Sequence, residues 1–153
     1  MKMNANTDFL YRSMIYVALH SDRLVTTREI AEAFGLSLNH IAKVTQELIK
    51  MGLLEGQRGR RGGVRLARPA EEIKLGELMG PAKGDSGVID CQNGIGGPCR
   101  ILPVCRLKGI FAQAHGAFLS VLNQHTLADL VGTPQMQKAL IRLLNAEDLP
   151  CGG

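Results

Sequence analysis

Apolar residues recur at helical spacing near the start of the chain, in a segment that predicts the first helix. Leu10, Met14 and Val17 are four and three residues apart, which places them on one face of a helix. Asn6 or Thr7 is suited to cap its beginning, and we expect the helix to end near residue 20. The apolar face should pack into the core.

Two further helices are predicted, separated by a tight turn. Thr26 and Glu29 have the spacing of a capping box, in which each side chain accepts a hydrogen bond from the other residue's backbone. Gly35 permits a left-handed turn, and Ser37 can cap the helix that follows. The third helix has one apolar face, formed by Ile41, Val44, Leu48 and Met51. Gly52 should end this helix. This order predicts a helix-turn-helix.

A hairpin should follow the third helix. Residues 53–55 and 64–67 have the composition of two strands, and the turn at 56–63 is rich in Gly and Arg, as expected of a wing. Residues 73–79 predict a short element, and residues 80–105 a loop too long to be a simple connector. Residues 106–123 predict a long amphipathic helix. Since so small a chain offers this helix no obvious partner, we expect it to pair with a second copy of the chain.

Charge is concentrated in the first part of the sequence. Residues 1–70 hold 11 Lys and Arg against 6 Asp and Glu, whereas residues 71–153 hold 7 against 8. A basic amino-terminal half favours a polyanionic partner. The sequence contains no apolar run long enough for a membrane span or a signal peptide, so we expect a cytoplasmic protein without a membrane partner.

The third helix and the wing carry the candidate DNA-binding residues. The amino-terminal part of the helix exposes polar side chains where base edges are usually contacted, and the glycines of the wing present guanidinium groups to a phosphate or to the minor groove. A winged helix used only for protein contacts is the alternative. The full candidate set is Thr27, Arg28, Ser37, Asn39, His40, Lys43, Arg58, Arg60 and Arg61.

Three cysteines in the long loop are the candidate cofactor ligands. Cys91, Cys99 and Cys105 are separated by eight and six residues, and the glycines between them would let the loop fold tightly around a soft metal centre. This spacing favours an iron-sulfur cluster, which tolerates one non-Cys ligand, over structural zinc, which usually shows paired C-x2-4-C spacing. A thiol redox switch and a loop of small residues without a cofactor stay open as alternatives. Cys151 is expected to be a free thiol near the chain end.

These patterns predict a mainly α fold with a small β wing. We expect a winged helix-turn-helix DNA-binding domain over residues 1–79, an iron-sulfur cluster-binding loop over 80–105, a dimerisation helix and carboxyl-terminal helical segment over 106–145, and a flexible tail over 146–153. The sequence has no nucleotide-binding fingerprint, no CxxC and no evident pairing of nucleophile and base. We therefore do not expect an enzyme; a redox enzyme or cluster carrier that retains a winged helix is the rival class.

Several segments in order resemble one family. They are Thr7 to Phe9, Ser37 to Lys43, Arg58-Gly59, Gly62 to Leu66, the three loop cysteines, Cys105 to Lys108, and His125 to Leu130. In these segments the chain resembles the IscR/NsrR family of bacterial winged-helix, iron-sulfur transcriptional regulators, and in particular its nitric-oxide-sensing repressors. The resemblance spans nearly the whole chain.

The resemblance implies a homodimer that binds a palindromic operator on double-stranded DNA and is released by nitric oxide. It further implies a 4Fe-4S cluster in each protomer, held by Cys91, Cys99 and Cys105, with a fourth ligand from the partner subunit's Asp8. A capping carboxylate of the first helix is the alternative role for Asp8.

Two positions bear on which member of the family the chain resembles. Family members with a 2Fe-2S site carry a His three residues after the last Cys, where this chain has Lys108, and His115 lies deeper in the long helix. That departure favours Asp8 as the fourth ligand. The long gap between Cys91 and Cys99 is similar to iron-responsive, RirA-like members, so loss of the cluster under iron limitation is the alternative signal.

Overall fold

The fold is taken from a computed structural model, in which residues 5–79, 100–101 and 104–145 are described. The α-helices in these ranges are α1 (Ala5–Leu19), α2 (Thr27–Ala33), α3 (Leu38–Lys50), α4 (Arg106–Leu122), α5 (Leu127–Val131) and α6 (Pro134–Leu144). The strands are β1 (Leu54–Gln57) and β2 (Gly63–Leu66), and two 3₁₀ helices follow at Ala70–Glu72 and Leu75–Met79. The predicted mainly helical fold with a small β wing is confirmed.

The apolar face of α1 forms the centre of the amino-terminal unit. Met14 and Val17 are fully buried, and α1 packs against α3, β2 and α5. From α3, Ile41 and Leu48 are also inaccessible to solvent, as the helical spacing predicted. The predicted cap of α1 is wrong, because Asn6 and Thr7 both lie inside the helix. The amide Nδ2 of Asn6 instead donates to Glu47 Oε2 at 3.0 Å.

The capping box at the start of α2 is confirmed. The backbone N–H of Glu29 donates to Thr26 Oγ1 at 3.2 Å, and the backbone N–H of Thr26 donates to Glu29 Oε2 at 2.7 Å. Burial alone would raise the pKa of Glu29, but the bonds from Thr26 and an ion pair with Arg23 at 2.7 Å outweigh burial and lower it. The carboxylate therefore stabilises the start of α2 at neutral pH, and this contribution is lost as the pH falls through the lowered pKa.

The turns on either side of α3 follow the glycine positions. Gly35 has a φ of +60° between α2 and α3, and Gly52 has a φ of +71° after α3, as predicted. Ser37 is the N-cap residue of α3, but its side chain makes no capping hydrogen bond. That part of the prediction is wrong, and the hydroxyl is left available to a partner.

The wing is an antiparallel hairpin joined to a third extended segment. β1 pairs with β2 so that Leu54 lies opposite Leu66 and Gln57 opposite Gly63. Val25, just before α2, pairs with Val64 through two backbone hydrogen bonds of 2.9 and 2.8 Å. The wing is therefore bonded directly to the helix-turn-helix.

Contacts divide the described residues into two units. The first contains 5–73 and 126–145, and the second contains the described part of 74–125. In the first unit Leu127 of α5 is fully buried, and its backbone N–H donates to the carbonyl of Ile73 at 2.9 Å. The sequence-based division placed 126–145 together with α4, whereas these contacts group it with the amino-terminal helices.

In the second unit, α4 has no buried residue among those described. Leu107, Ile110 and Val121 are 49%, 61% and 56% exposed, which leaves an apolar surface along the helix. The second 3₁₀ helix lies beside the end of α4, where a Cβ on Gly76 would stand 2.1 Å from Asn123 Oδ1. None of the helices in the described ranges combines the length and apolar character that a membrane span requires.

Ser13 in α1 provides a test of the core. Its side chain is fully buried, and its hydroxyl has no hydrogen-bond partner within the described part of the chain. Because a buried hydroxyl without a partner is unfavourable, we expect Ser13→Ala to raise the free energy of unfolding by about 1 kcal/mol, measured by urea denaturation. The control is Thr45→Val, which removes a buried hydroxyl that donates at 3.0 Å to the carbonyl of Ile41 and should give no gain. A Ser13→Ala protein less stable than the parent would contradict this description of α1.

Candidate nucleic-acid interface

The exposed face of α3 is polar and basic, opposite the face that enters the core. Asn39 and Lys43 lie one turn apart, and both are exposed. Ser37, at the amino end of the helix, is exposed as well. The helix thus presents hydrogen-bond donors and acceptors at the end where recognition helices contact base edges.

His40 is exposed but is not isolated from the rest of the protein. Its ring stacks on Phe9 of α1, with centroids 6.2 Å apart and planes inclined by 26°. Asn6, about one turn earlier in α1, donates to Glu47, about two turns further along α3. The first turn of α1 is therefore linked to α3 by two side-chain contacts.

Thr27 and Arg28 occupy the first turn of α2. Arg28 is exposed, whereas Thr27 is half-buried and lines a cleft between the helices and the wing. Gln46 of α3 and Gln57 of β1 line the same cleft and are absent from the sequence-predicted set. The polar face of α3 could have indicated Gln46, but Gln57 stands at a strand end, where periodicity gives no signal.

The wing tip carries three arginines that have no carboxylate partner among the described residues. Arg58, Arg60 and Arg61 are exposed, and none of them forms an ion pair with a carboxylate in the described ranges. Arg65 differs, since its Nε bonds to Glu55 across the hairpin. The three guanidinium groups of the tip are therefore available to an external anion.

The shape of the wing depends on glycine. Gly59 has a φ of +114°, a conformation that side chains disfavour. A Cβ on Gly62 would stand 2.3 Å from the carbonyl oxygen of Gln57, and one on Gly63 would stand 2.7 Å from that of Val25. The close approach of Gly63 to Val25 lets the hairpin pair with the segment before α2.

Asp8 lies in the first turn of α1 and is nearly half exposed. Its Oδ2 accepts from Arg12 Nε at 2.8 Å, one helical turn away. The guanidinium carbon of Arg12 also lies 5.8 Å from the ring centroid of Phe34, beside the turn between α2 and α3. The carboxylate can act as a ligand only by giving up or sharing this ion pair.

Cys105 is the one predicted cysteine ligand within the described residues. It is a half-buried free thiol at the N-cap of α4 and makes no capping hydrogen bond there. A free, partly accessible thiol beside the predicted loop fits a cluster ligand, because cysteine sulfur is the usual ligand of iron-sulfur clusters. Cys91, Cys99 and Cys151 lie outside the described residues. Within the described ranges there is no group of three or more His, Cys, Asp or Glu side chains that could hold a metal ion.

Comparison with known proteins gives one family. Residues 3–133 match the profile of Rrf2, described as an iron-dependent transcriptional regulator. The chain is similar to the HTH-type transcriptional regulator NsrR of Halalkalibacterium halodurans, with 39% identity over 144 residues that cover 94% of this chain and 99% of the relative. It is 35% identical to the regulator of the same name from Bacillus subtilis, over 94% of this chain and 99% of that one.

Solved structures show the same fold. T. potens IscR matches with a TM-score of 0.65 and 25% identity, covering 86% of each chain. CymR, the global cysteine regulator of B. subtilis, matches with a TM-score of 0.65 at 21% identity, over 85% of this chain and 95% of that one. The expected resemblance to the IscR/NsrR group and the expectation of a regulator instead of an enzyme are confirmed by these relatives.

Gly63 and Gly56 allow a matched test of the wing. A Cβ on Gly63 would collide with the backbone of Val25, whereas one on Gly56 would meet only the flexible end of Ile49 at 3.2 Å. We expect Gly63→Ala to lower the free energy of unfolding by about 1–3 kcal/mol, and Gly56→Ala to change it by less than about 1 kcal/mol, by urea denaturation. Equal stability of the two variants would show that the wing does not pack on Val25 in this way.

Proposed function

The chain belongs to the Rrf2 family of transcriptional regulators, and from that membership we propose that it is a dimeric repressor that senses nitric oxide through a 4Fe-4S cluster. The cluster would be held by Cys91, Cys99 and Cys105 of one protomer and by the partner subunit's Asp8. Nitric oxide would release the protein from its operator and derepress genes of nitric oxide detoxification. The NsrR relatives, 35–39% identical over most of the chain, support this choice within the family.

DNA binding is supported above all by two features of one unit: an exposed polar face on α3, and a basic wing tip whose arginines have no carboxylate partner among the described residues. Asn39 and Lys43 on α3 are exposed, and the wing tip carries three arginines without described carboxylate partners. The bond pair between Val25 and Val64 holds the wing to the same unit. Such a surface suits one helix in the major groove with guanidinium groups on the flanking backbone or minor groove.

The exposed apolar face of α4 supports the dimer. Leu107, Ile110 and Val121 stay exposed in the single chain, and burying them against the same helix of a second copy would remove that surface from water. A two-fold dimer presents two copies of α3, so its operator should be palindromic, with half-sites one helical turn or a multiple apart.

The donor set supports an iron-sulfur cluster. Cys105 is a free thiol at the N-cap of α4, and cysteine thiolates are the usual ligands of such clusters. When bound, the cluster would supply iron that reacts with nitric oxide. An Asp ligand would make one coordination position more labile than the three thiolates.

The contacts around Asp8 supply a route from ligand to recognition helix. Asp8 accepts from Arg12 through Oδ2, so a bound iron would have to share the carboxylate with Arg12 or displace it. Its neighbour Phe9 stacks on His40 of α3. A change in the ligation of Asp8 would therefore move a turn of α1 that contacts the DNA-binding helix, which couples the signal to DNA affinity.

An iron-status regulator is the second candidate, because the matched family is described as iron-dependent. It would lose its cluster to a mild iron chelator and would keep DNA binding after one equivalent of nitric oxide per cluster. A zinc site or a thiol switch would give protein without sulfide.

The wing arginines predict a salt-dependent contribution to DNA binding. We expect the triple change of Arg58, Arg60 and Arg61 to Ala to weaken operator binding at least tenfold and to reduce the slope of log K against log salt by about one to three units. The control is Arg142→Ala on α6, an exposed arginine outside the wing, which should leave both quantities unchanged. Fluorescence anisotropy at several salt concentrations measures both. An unchanged salt slope in the triple variant would remove the wing from the interface.

Nitric oxide and Asp8 provide the test of sensing. Protein purified without oxygen should be brown, contain iron and sulfide, and lose both its visible absorbance and its operator affinity on titration with nitric oxide. We expect Asp8→Ala to keep iron bound by the cysteines but to show a changed visible spectrum and weakened coupling between nitric oxide and DNA release. Asp22→Ala, at another exposed Asp of the same unit, should behave as the parent. If neither the visible absorbance nor the operator affinity changed on addition of stoichiometric nitric oxide, this function would be excluded.

A further inference from the structure

Leu38 is an exposed aliphatic side chain on a surface that is otherwise polar. It is the one large hydrophobic residue of 5–79 that lies exposed, at 41%. The remaining exposed large hydrophobic side chains of the described residues lie between 101 and 121 or on α6. Leu38 instead stands between Ser37 and Asn39, which are both exposed and polar.

The position of Leu38 places it at the amino end of the recognition helix. It is the first residue of α3, directly after the N-cap. Ala42, four residues on, is also exposed, so the two side chains form a short apolar strip along one flank of the helix. Asn39 and Lys43 follow the same spacing one position later, which puts the strip beside the polar row.

The major groove offers an apolar strip one specific partner. Among the groups that base pairs present there, the C5-methyl of thymine is the apolar one, and aliphatic side chains contact it. The sugar-phosphate backbone of DNA, in contrast, is contacted mainly by charged or hydrogen-bonding side chains. The flanking Asn39 and Lys43 also make this face a poor match for an apolar protein surface, because they would lose water without gaining partners.

We propose that Leu38, with Ala42 beside it, specifies a thymine in each operator half-site by packing against its methyl group. The proposal rests on the proposed function, since it requires that α3 enter the major groove. It adds a specificity contact that hydrogen bonding by Asn39 or Lys43 does not provide.

Uracil in place of thymine tests the contact, because uracil pairs identically and lacks only the methyl group. A duplex is first selected from a randomised DNA pool with the parent protein, purified without oxygen. Thymines are then replaced by uracil one position at a time, and each replacement is made at the equivalent position of both half-sites. We expect one position at which uracil weakens binding about three- to fourfold per half-site, the effect of one buried methyl group.

Variants at Leu38 identify the side chain responsible. Leu38→Ala should bind the thymine duplex about tenfold more weakly, and for this variant thymine and uracil at the sensitive position should differ by less than about twofold. Leu38→Met should keep the discrimination, because it keeps an apolar contact. The matched control is Leu143→Ala on α6, also an exposed leucine, which should bind as the parent does. Thermal unfolding confirms that all variants are folded.

Two results would overturn the proposal. The parent protein could bind its selected duplex equally well with uracil at every position, or Leu38→Ala could retain the full thymine preference. Either leaves the proposed repressor function intact, since binding itself persists. A parent protein that selects no duplex from the pool would overturn the repressor function and the thymine contact together.

Discussion

Burial of the apolar face of α1 is the interaction on which the DNA-binding unit depends. Met14 and Val17 are fully inaccessible, and the helix that carries them packs against α3, β2 and α5. The same 15-residue helix carries Asp8 at its first turn. One element thus sets the position of the recognition helix, supports the wing and bears the proposed fourth ligand of the cofactor.

Local chemistry explains which parts of the fold were predictable. The helical spacing of Ile41 and Leu48, the capping box of Thr26 and Glu29, and the left-handed Gly35 each act within a few residues, so the sequence alone indicates them. The docking of α5 was not predicted, because a five-residue helix is too short for periodicity and its buried Leu127 depends on distant partners. Ser37 is a position where the local sequence signal was only partly right, since it occupies the N-cap of α3 but its side chain forms no capping hydrogen bond.

In the candidate site, too, some features could be predicted from the local sequence and others could not. Exposure of Asn39, Lys43 and the wing arginines follows from their places opposite a buried face or in a glycine-rich turn. The ring stacking of His40 on Phe9 joins two helices and could not be inferred from either segment alone. The cysteine ligands rest on the family resemblance and on the position of Cys105, since the loop that carries Cys91 and Cys99 lies outside the described residues.

The pairing of Val25 with Val64 has a consequence for the kind of operator this protein can accept. Two backbone hydrogen bonds join the wing to the segment that begins the helix-turn-helix, so hairpin and recognition helix should approach DNA as one rigid surface. Each base pair turns the duplex by about 35°. A single base pair inserted between the bases touched by α3 and the phosphates touched by the wing would therefore put the two contacts out of phase, and a hairpin held this way could not swing to follow.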